Sequence, residues 1–578
     1  MSTSFDEYRA PDAPIPETTW AWNMYGAGVE HIGVNGKPEL FAVPEPGDDQ
    51  LLVRVDAVSL CFSDVKLIQQ GGKHPKLYNR DLAKEPTRLG HETALTVLKV
   101  GAKLRDTYEP GQRLAVQPDI YQQGRSTAYG YTIPGGLIQF HLLGPEVLNA
   151  DHGAYVLPVD QQLGYAETAL TEPWACVEGA YRQRRRLVPL EGGVMWIAGR
   201  PGDTVSYAFS EGLAAPATIV LTDVPDSLRA LIQHNASAQI IERDGLTPAE
   251  YLALKEALTG SYGFDDIVLL DPRSAEAVAE AAKLIARRGT FNMVGRAPLD
   301  GLPTVDVGRI HYDYTAYLGN PGPDIAASYG ETHNRSDLRP GGATVFVGAG
   351  GPMGQMHIQR AIELPSGPQT LLATDVNDER LAVVARQFTA LAEQHDKRLI
   401  TINPQSSAET LRDLVLRETD GRGADDVIVC VPSAALMADA ATLLAPDGML
   451  VLFAGVPNGT LAPLNLSDVY LHNAQFTGTS GSALADQAAV ISKTVAHELS
   501  PNRSVAAVGG IEAARDGIVA MMEGRFPGKI VIFPQISGLP LTSIADFKAR
   551  YPELGAMLAP GDVWTPAAEQ ALIERFWR

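Results

Sequence analysis

The chain has 578 residues, too many for one hydrophobic core; at roughly 150 residues per domain it divides into three or four. It is 45% hydrophobic and 20% charged, and its formal net charge of −21 argues against nucleic acid or an anionic membrane surface as partner. No run of about 18 apolar residues occurs, and only Cys61, Cys176 and Cys430 carry thiols, so the expectation is a cytoplasmic multidomain enzyme without a disulfide framework or membrane span.

Residues 35–190 read as short strands between Gly/Pro-rich turns: "QLLVRVDAVSL", "ETALTVLKVG", "GQRLAVQP" and "AYVLPVD". This pattern predicts a β-rich, barrel-like domain over 1–190. Within it lie "LCFSDVK" (60–66), "LGHET" (89–93) and "LTEPWACVEG" (170–179). The Cys61 thiolate, the His91 imidazole and a carboxylate from Glu92 or Glu172 form a mixed S/N/O set. That set suits zinc with one position left open for chemistry. Singly, each residue reads equally well as an ordinary core or loop side chain; the combination carries the signal. The loop between Lys66 and Arg88 adds Lys73, His74, Lys76, Arg80 and Lys84 to an otherwise anionic chain. It reads either as a solvated surface loop or as a phosphate-binding rim.

From 191 the texture changes to wholly apolar strands alternating with helical stretches, the pattern of a parallel sheet covered on both faces. At 341 the pattern starts again. "GGATVFVGAGG" echoes "GGVMWIAGRPG", and "GADDVIVCVPS" echoes "GFDDIVLLDPR". The pairs Gly289/Gly448 and Gly322/Gly481 share an offset of 159 residues. Two tandem copies of one doubly wound α/β domain are therefore expected, over 191–340 and 341–499. The remainder, 500–578, contains the β segment "GKIVIFP" and the helical tail "TPAAEQALIERFWR", and is expected to return to the first domain.

The second copy carries an intact phosphate-binding turn: Gly348, Ala349, Gly350, Gly351, Pro352, Met353, Gly354. Gly348 permits the tight turn, Gly350 lets the backbone approach a pyrophosphate, and Gly354 lets helix and strand pack closely. Asp375 follows Gly354 by 21 residues, at the end of the next strand; it suits a ribose 2′-hydroxyl and favours NAD over NADP. Arg380 is placed in the same cofactor-binding set. In the first copy the turn reads Gly199, Arg200, Pro201, Gly202, Asp203. Pro201 brings a ring and removes an N–H where backbone should meet phosphate, and Asp203 adds negative charge. The first copy is read as a fold kept without its ligand.

Cys-x-Ser-Asp, Gly-His-Glu, Glu-Pro and then G-x-G-x-x-G, in this order, resemble the zinc-dependent medium-chain dehydrogenase/reductase family over roughly 35–190 and 341–535. Within it the chain is most similar to polyol dehydrogenases and ketose reductases, and its "GAGGPMGQMHIQRA" and "GKIVIFPQISGLPLT" segments are similar to L-sorbose-1-phosphate reductases. The resemblance implies a GroES-like β-rich catalytic domain joined to Rossmann-type domains. It implies one catalytic zinc on Cys61 and His91, with Glu92 and Glu172 both open as further ligands, directly or through water. It also implies Ser63 as the hydroxyl of a proton relay and hydride transfer between NAD(H) and a polyol or ketose, free or phosphorylated.

Three departures stand out. The region "QPDIYQQGRSTAYGYTIPGG" has none of the four cysteines that hold a structural zinc in the family, so none is expected. Lys66 replaces the family's relay histidine, and is assigned to the catalytic set with Ser63 and Glu92. The broken copy is inserted between catalytic and nucleotide domains. Family subunits commonly pair through edge strands, so "YTAYLGN" and "AQFTGTS" are expected to pair within this chain as a pseudo-dimer. The rival readings are a cyclitol or secondary-alcohol dehydrogenase without a phosphate requirement, and a nucleotide-sensing or scaffold protein with a vestigial site.

Overall fold

The computed structural model describes residues 3–577; Met1, Ser2 and Arg578 lie outside it. The chain forms two compact units, one of Met1–Gly179 with Gly481–Arg578, the other of Ala180–Ser480.

The first unit is built on an eight-stranded sheet. Its order runs Val156–Pro158, Arg113–Val116, Glu92–Val100, Leu51–Ser59, Lys529–Phe533, Val505–Gly510 and Thr542–Ser543, with Phe140–Leu143 added on Leu51–Ser59. All nine residues of Leu51–Ser59 are buried, the charged Arg54 and Asp56 among them as an ion pair at 2.7 Å. The C-terminal segment completes this sheet: Val531 pairs with Ser59 and Ile532 with Val58. Helix Leu484–Val495 also belongs to this unit, where Gln487 donates to Thr171 Oγ1 and to the Val116 carbonyl. The long helix Tyr165–Gly179 keeps its course through Pro173. Its first two amides, of Tyr165 and Ala166, are capped by the carboxylate of Glu569 from the terminal helix Pro566–Phe576.

The second unit holds two six-stranded parallel sheets of one design. The first runs Gln239–Glu242, Thr218–Thr222, Val194–Ala198, Phe264–Leu270, Ile285–Val294, Ala316–Asn320; the second runs Arg398–Ile402, Thr370–Thr374, Ala343–Val347, Ala424–Val429, Leu444–Leu452, Gln475–Thr477. The likeness extends to single side chains. Ser274 and Ser433 each cap a helix by accepting from the amide three residues on. Arg186 binds Asp266 and the Asp265 carbonyl; Arg335 binds Asp426 and the Asp425 carbonyl.

The copies differ where the dinucleotide turn lies. After Ala343–Val347 the second copy continues into helix Pro352–Glu363. After Val194–Ala198 the first copy has no helix before Thr218. Tyr207, Phe209 and Leu213 instead pack against that sheet, and Ala208 is tied to the Pro323 carbonyl.

The expected pairing of edge strands is not what joins the copies. Among the described residues Ala316–Asn320 ladders only with Ile285–Val294 and Gln475–Thr477 only with Leu444–Leu452, although Thr479 Oγ1 donates to the Tyr314 hydroxyl between the two segments. A short antiparallel ladder between Thr304–Asp306 and Leu461–Pro463 joins them instead. Helix Ser467–Leu471 takes the space beside the first edge strand: a Cβ at Gly319 would stand 2.5 Å from the Cβ of Tyr470. Tyr470 also donates to the Ala297 carbonyl, and the Leu299 amide donates to Ser467. Side chains of both copies share one apolar core, Phe291, Ile310 and Tyr317 with Leu452, Val469 and Phe476.

Candidate metal centre and dinucleotide turn

In the first unit, Cys61 ends the approach to helix Phe62–Gln70 and His91 precedes strand Glu92–Val100. The Cys61 sulfur, one His91 ring nitrogen and one Glu92 oxygen lie within 4.8 Å of one another. His91 Nδ1 faces the buried Asp64 carboxylate at 3.2 Å. Its Nε2 lies 3.4 Å from Ser63 Oγ, which is itself 3.1 Å from the Cys61 sulfur. Burial alone would lower the His91 pKa, but Asp64 and Cys61 carry it well above its ordinary value. A metal ion on Nε2 would take the place of a proton there, with Asp64 still on Nδ1.

Glu92 is fully buried, and Lys529 Nζ binds its Oε1 at 2.5 Å. Lys529 holds the carboxylate below its ordinary range against the effect of burial. The other oxygen, Oε2, is buried with no hydrogen-bond partner. A soft sulfur, an imidazole nitrogen backed by a carboxylate, and an oxygen still lacking a partner together fit zinc.

Glu172 lies beside this group rather than in it. It sits on Tyr165–Gly179, buried, with the Cys176 thiol 3.8 Å from its Oε1. Burial raises its carboxyl to about 7. Tyr131 packs its ring on His91 and beneath the Lys76 ammonium. Sequence reasoning missed Tyr131 and Lys529, and gave Asp64 no role although it stands inside the Cys-x-Ser-Asp motif.

The basic loop is divided among several tasks. Lys76 binds Asp119 at 2.7 Å, and the Arg88 guanidinium donates to Asn23 and to the Gly135 carbonyl. Lys84 forms a surface pair with Asp81. Arg80 donates to the Thr132 carbonyl and lines a cleft of about 320 Å³ together with Arg125 and Glu85. Lys66 and Lys73 are exposed, and Lys66 and Lys76 both act on His74. Burial, then these two cations, lower the His74 pKa to about 4. The loop 121–126, where four cysteines were lacking, is closed by Asp151, whose carboxylate accepts from the amides of Gln123 and Gly124.

In the second unit, Gly348 has φ +80°, and a Cβ there would stand 2.5 Å from the Val431 side chain. A Cβ at Gly354 would stand 2.3 Å from the Gly348 carbonyl, so the helix can seat on the turn only through glycine. Gly350 is flanked by Arg380 and Asp375: its amide donates to Asp375 Oδ2 at 2.9 Å, and a Cβ would stand 2.5 Å from that of Arg380. Gly351 caps the helix, with Pro352 and Met353 in its first turn. In the first copy Asp223 accepts instead from the Gly245 amide, and Arg200 closes on Asp271.

Comparison with known proteins agrees with this arrangement. The Alcohol dehydrogenase GroES-like domain matches residues 47–158 and the Zinc-binding dehydrogenase domain matches 352–496. Through these two domains the chain is similar to zinc-binding alcohol dehydrogenases. It is an oxidoreductase that uses zinc and NAD(P). Among relatives of this family, the L-sorbose 1-phosphate reductase of Klebsiella pneumoniae is 24% identical over 562 residues, 96% of this chain and 98% of that one. The mannitol-1-phosphate 5-dehydrogenase of Aliivibrio fischeri is 23% identical over 548 residues, 92% of this chain and 94% of that one. The structure of 2R,3R-butanediol dehydrogenase from Bacillus subtilis matches with a TM-score of 0.49 and 13% identity, covering 89% of this chain and 99% of that one. Among the described residues no helix is long and apolar enough to cross a membrane.

Proposed function

We propose that the chain interconverts a polyol and its ketose with NAD(H), at one zinc bound by Cys61, His91 and Glu92. The observation that carries this reading is the convergence of those three donor atoms within 4.8 Å with Ser63 Oγ in contact with two of them. Zinc bound there supplies a Lewis acid that acidifies the substrate hydroxyl. Ser63 takes the hydroxyl proton and passes it outward, and Lys66, one turn further along the same helix, sits exposed at the outer end of that path. Asp64 fixes the His91 ring, and Lys529 holds Glu92 by Oε1, so that the unpartnered Oε2 would be left to bind the metal. Glu172 stands by as a further oxygen donor or as the seat of a bridging water.

Gly348, Gly350, Gly351, Pro352, Met353 and Gly354 cradle the pyrophosphate at a helix N-terminus. Asp375, with Arg380 beside it, receives the ribose and makes NAD the preferred dinucleotide. The loop 121–126 takes no structural zinc; Asp151 does the closing there. The two full-length relatives named above act, by their names, on phosphorylated sugars or polyols, and Lys66, Lys73 and His74 would meet the phosphate of such a substrate. The first copy acts as an internal partner of the second, a pseudo-dimer with one dinucleotide site.

The test is NADH oxidation against a panel of free ketoses and ketose phosphates, with and without chelator. Turnover of a ketose phosphate that chelation abolishes supports the reading. Turnover that survives chelation, or none with any ketose, overturns it.

A further inference from the structure

A second place in the molecule gathers cationic side chains, far in character from the metal centre. At the seam of the two α/β copies is a small cavity lined from one side by Arg184, Arg185 and Thr315 and from the other by Arg335 and Gln475. Three arginines and no carboxylate line it, in a chain of net charge −21. Its volume of about 30 Å³ admits a group of a few heavy atoms, the space of two or three waters and not of a nucleotide.

The polar groups around it are donors in excess. Arg185 gives its hydrogen bonds to neutral acceptors, the Gln475 Oε1 at 2.7 Å and the His333 carbonyl at 3.3 Å. Burial is the influence on its guanidinium, lowering it to about 10, so it stays charged at neutral pH. Because Oε1 of Gln475 is taken, its Nε2 is left as a donor, and that atom has no partner. Thr315 Oγ1 and Arg335 Nε are likewise buried without partners. Gln475 is 2% exposed and Thr315 3%. Buried polar groups without partners are costly, and here one anion would satisfy several at once.

We propose that this cavity binds a tetrahedral oxyanion, a phosphate that is either free or the end of a small metabolite. Guanidinium forks match such oxygens two at a time. The ligand would touch Arg185 and, beside the first copy's edge strand, Thr315, and on the other side Gln475 of the second copy and Arg335, which is tied to the second copy through Asp426, so its binding would tighten the seam between them. The inference is independent of the metal centre and of the substrate.

Isothermal titration of the zinc-loaded full chain with inorganic phosphate, at constant ionic strength, tests it. Arg185→Met is expected to weaken binding by at least ~10-fold, and Thr315→Val, which keeps the side-chain shape, by about 3-fold. Lys73→Ala, at the basic loop of the other unit, should leave this binding intact. Glycerol 3-phosphate as a second titrant distinguishes the sources: competition with inorganic phosphate assigns the site to a phosphomonoester, and its failure assigns it to free phosphate. A thermal melt in chloride buffer checks that each variant is folded, and Thr315→Val carries the test where Arg185→Met does not fold. Absence of saturable phosphate binding, or binding unchanged in the folded variants of Arg185 and Thr315, overturns the proposal.

Discussion

His91 presents Nδ1 to the Asp64 carboxylate at 3.2 Å, and that contact leaves Nε2 as the nitrogen free to bind a metal. A carboxylate behind a ligating imidazole fixes its orientation and raises its basicity. Asp64→Asn is therefore expected to weaken zinc binding by about 10- to 100-fold while leaving the fold intact. Competition with a chromogenic chelator measures this directly; an unchanged affinity would remove Asp64 from the site.

Lys529 and Glu92 form a buried ion pair between strands 437 positions apart. Removing one partner of such a pair leaves an uncompensated charge and costs about 3–5 kcal/mol. Lys529→Met should show that loss in urea denaturation, and Lys529→Met combined with Glu92→Gln should regain part of it. Equal stability of the wild type and the single variant would show that the pair does not hold the sheet together.

Gly350→Ala would bring a methyl group 2.5 Å from the Cβ of Arg380 and 2.9 Å from Asp375. NAD binding should fall at least ~10-fold, read by fluorescence titration. Asp375→Ser should narrow the preference for NAD over NADP. Calorimetry of the wild type should find one dinucleotide per chain, since the first copy has Pro201 in the turn and no helix after it. Two equivalent sites would contradict the internal-partner reading.

Glu569 is buried against the first turn of Tyr165–Gly179, and burial raises its carboxyl to about 7 against the opposing bonds from Ala166 and Tyr165. A carboxyl with a higher pKa folded than unfolded binds extra protons in the folded state. Its contribution to stability is complete below about pH 4.5 and is lost as pH rises through about 7. Glu569→Gln should remove this dependence. Its stability difference from the wild type should change by up to about 3 kcal/mol across that window, read by urea denaturation at about pH 5.5 and about pH 7.5. Parallel curves for the two proteins would contradict it.

Much of the fold is legible because its strands are continuous apolar runs such as Val194–Ala198 and Ala343–Val347, and the order of the two sheets follows from the repeat. Cys61 and His91 announce themselves by motif. Lys529 does not, because only the pairing of Lys529–Phe533 with Leu51–Ser59 carries it to Glu92. Glu172 lies on a helix although Pro173 argues for a break; a proline there removes one amide, and the helix tolerates it within its packed setting. Pro201 reveals a broken turn, but not that the following helix is replaced by Tyr207, Phe209 and Leu213. Composition does not divide the basic loop: Lys76 and Arg88 are engaged by Asp119, Asn23 and a carbonyl, while Lys66 and Lys73 stay exposed. The pairing of edge strands is an expectation from the family's subunit contacts, and nothing in the sequence says that a helix such as Ser467–Leu471 packs beside the first of them.

The measurement closest to the heart of this account is the metal content of the purified protein and of its Cys61→Ser variant, taken together with NADH-dependent ketose reduction. One zinc per chain in the wild type, with zinc and activity both lost in the variant, is the expected result. A wild type without zinc, or a variant that keeps both metal and activity, would contradict it.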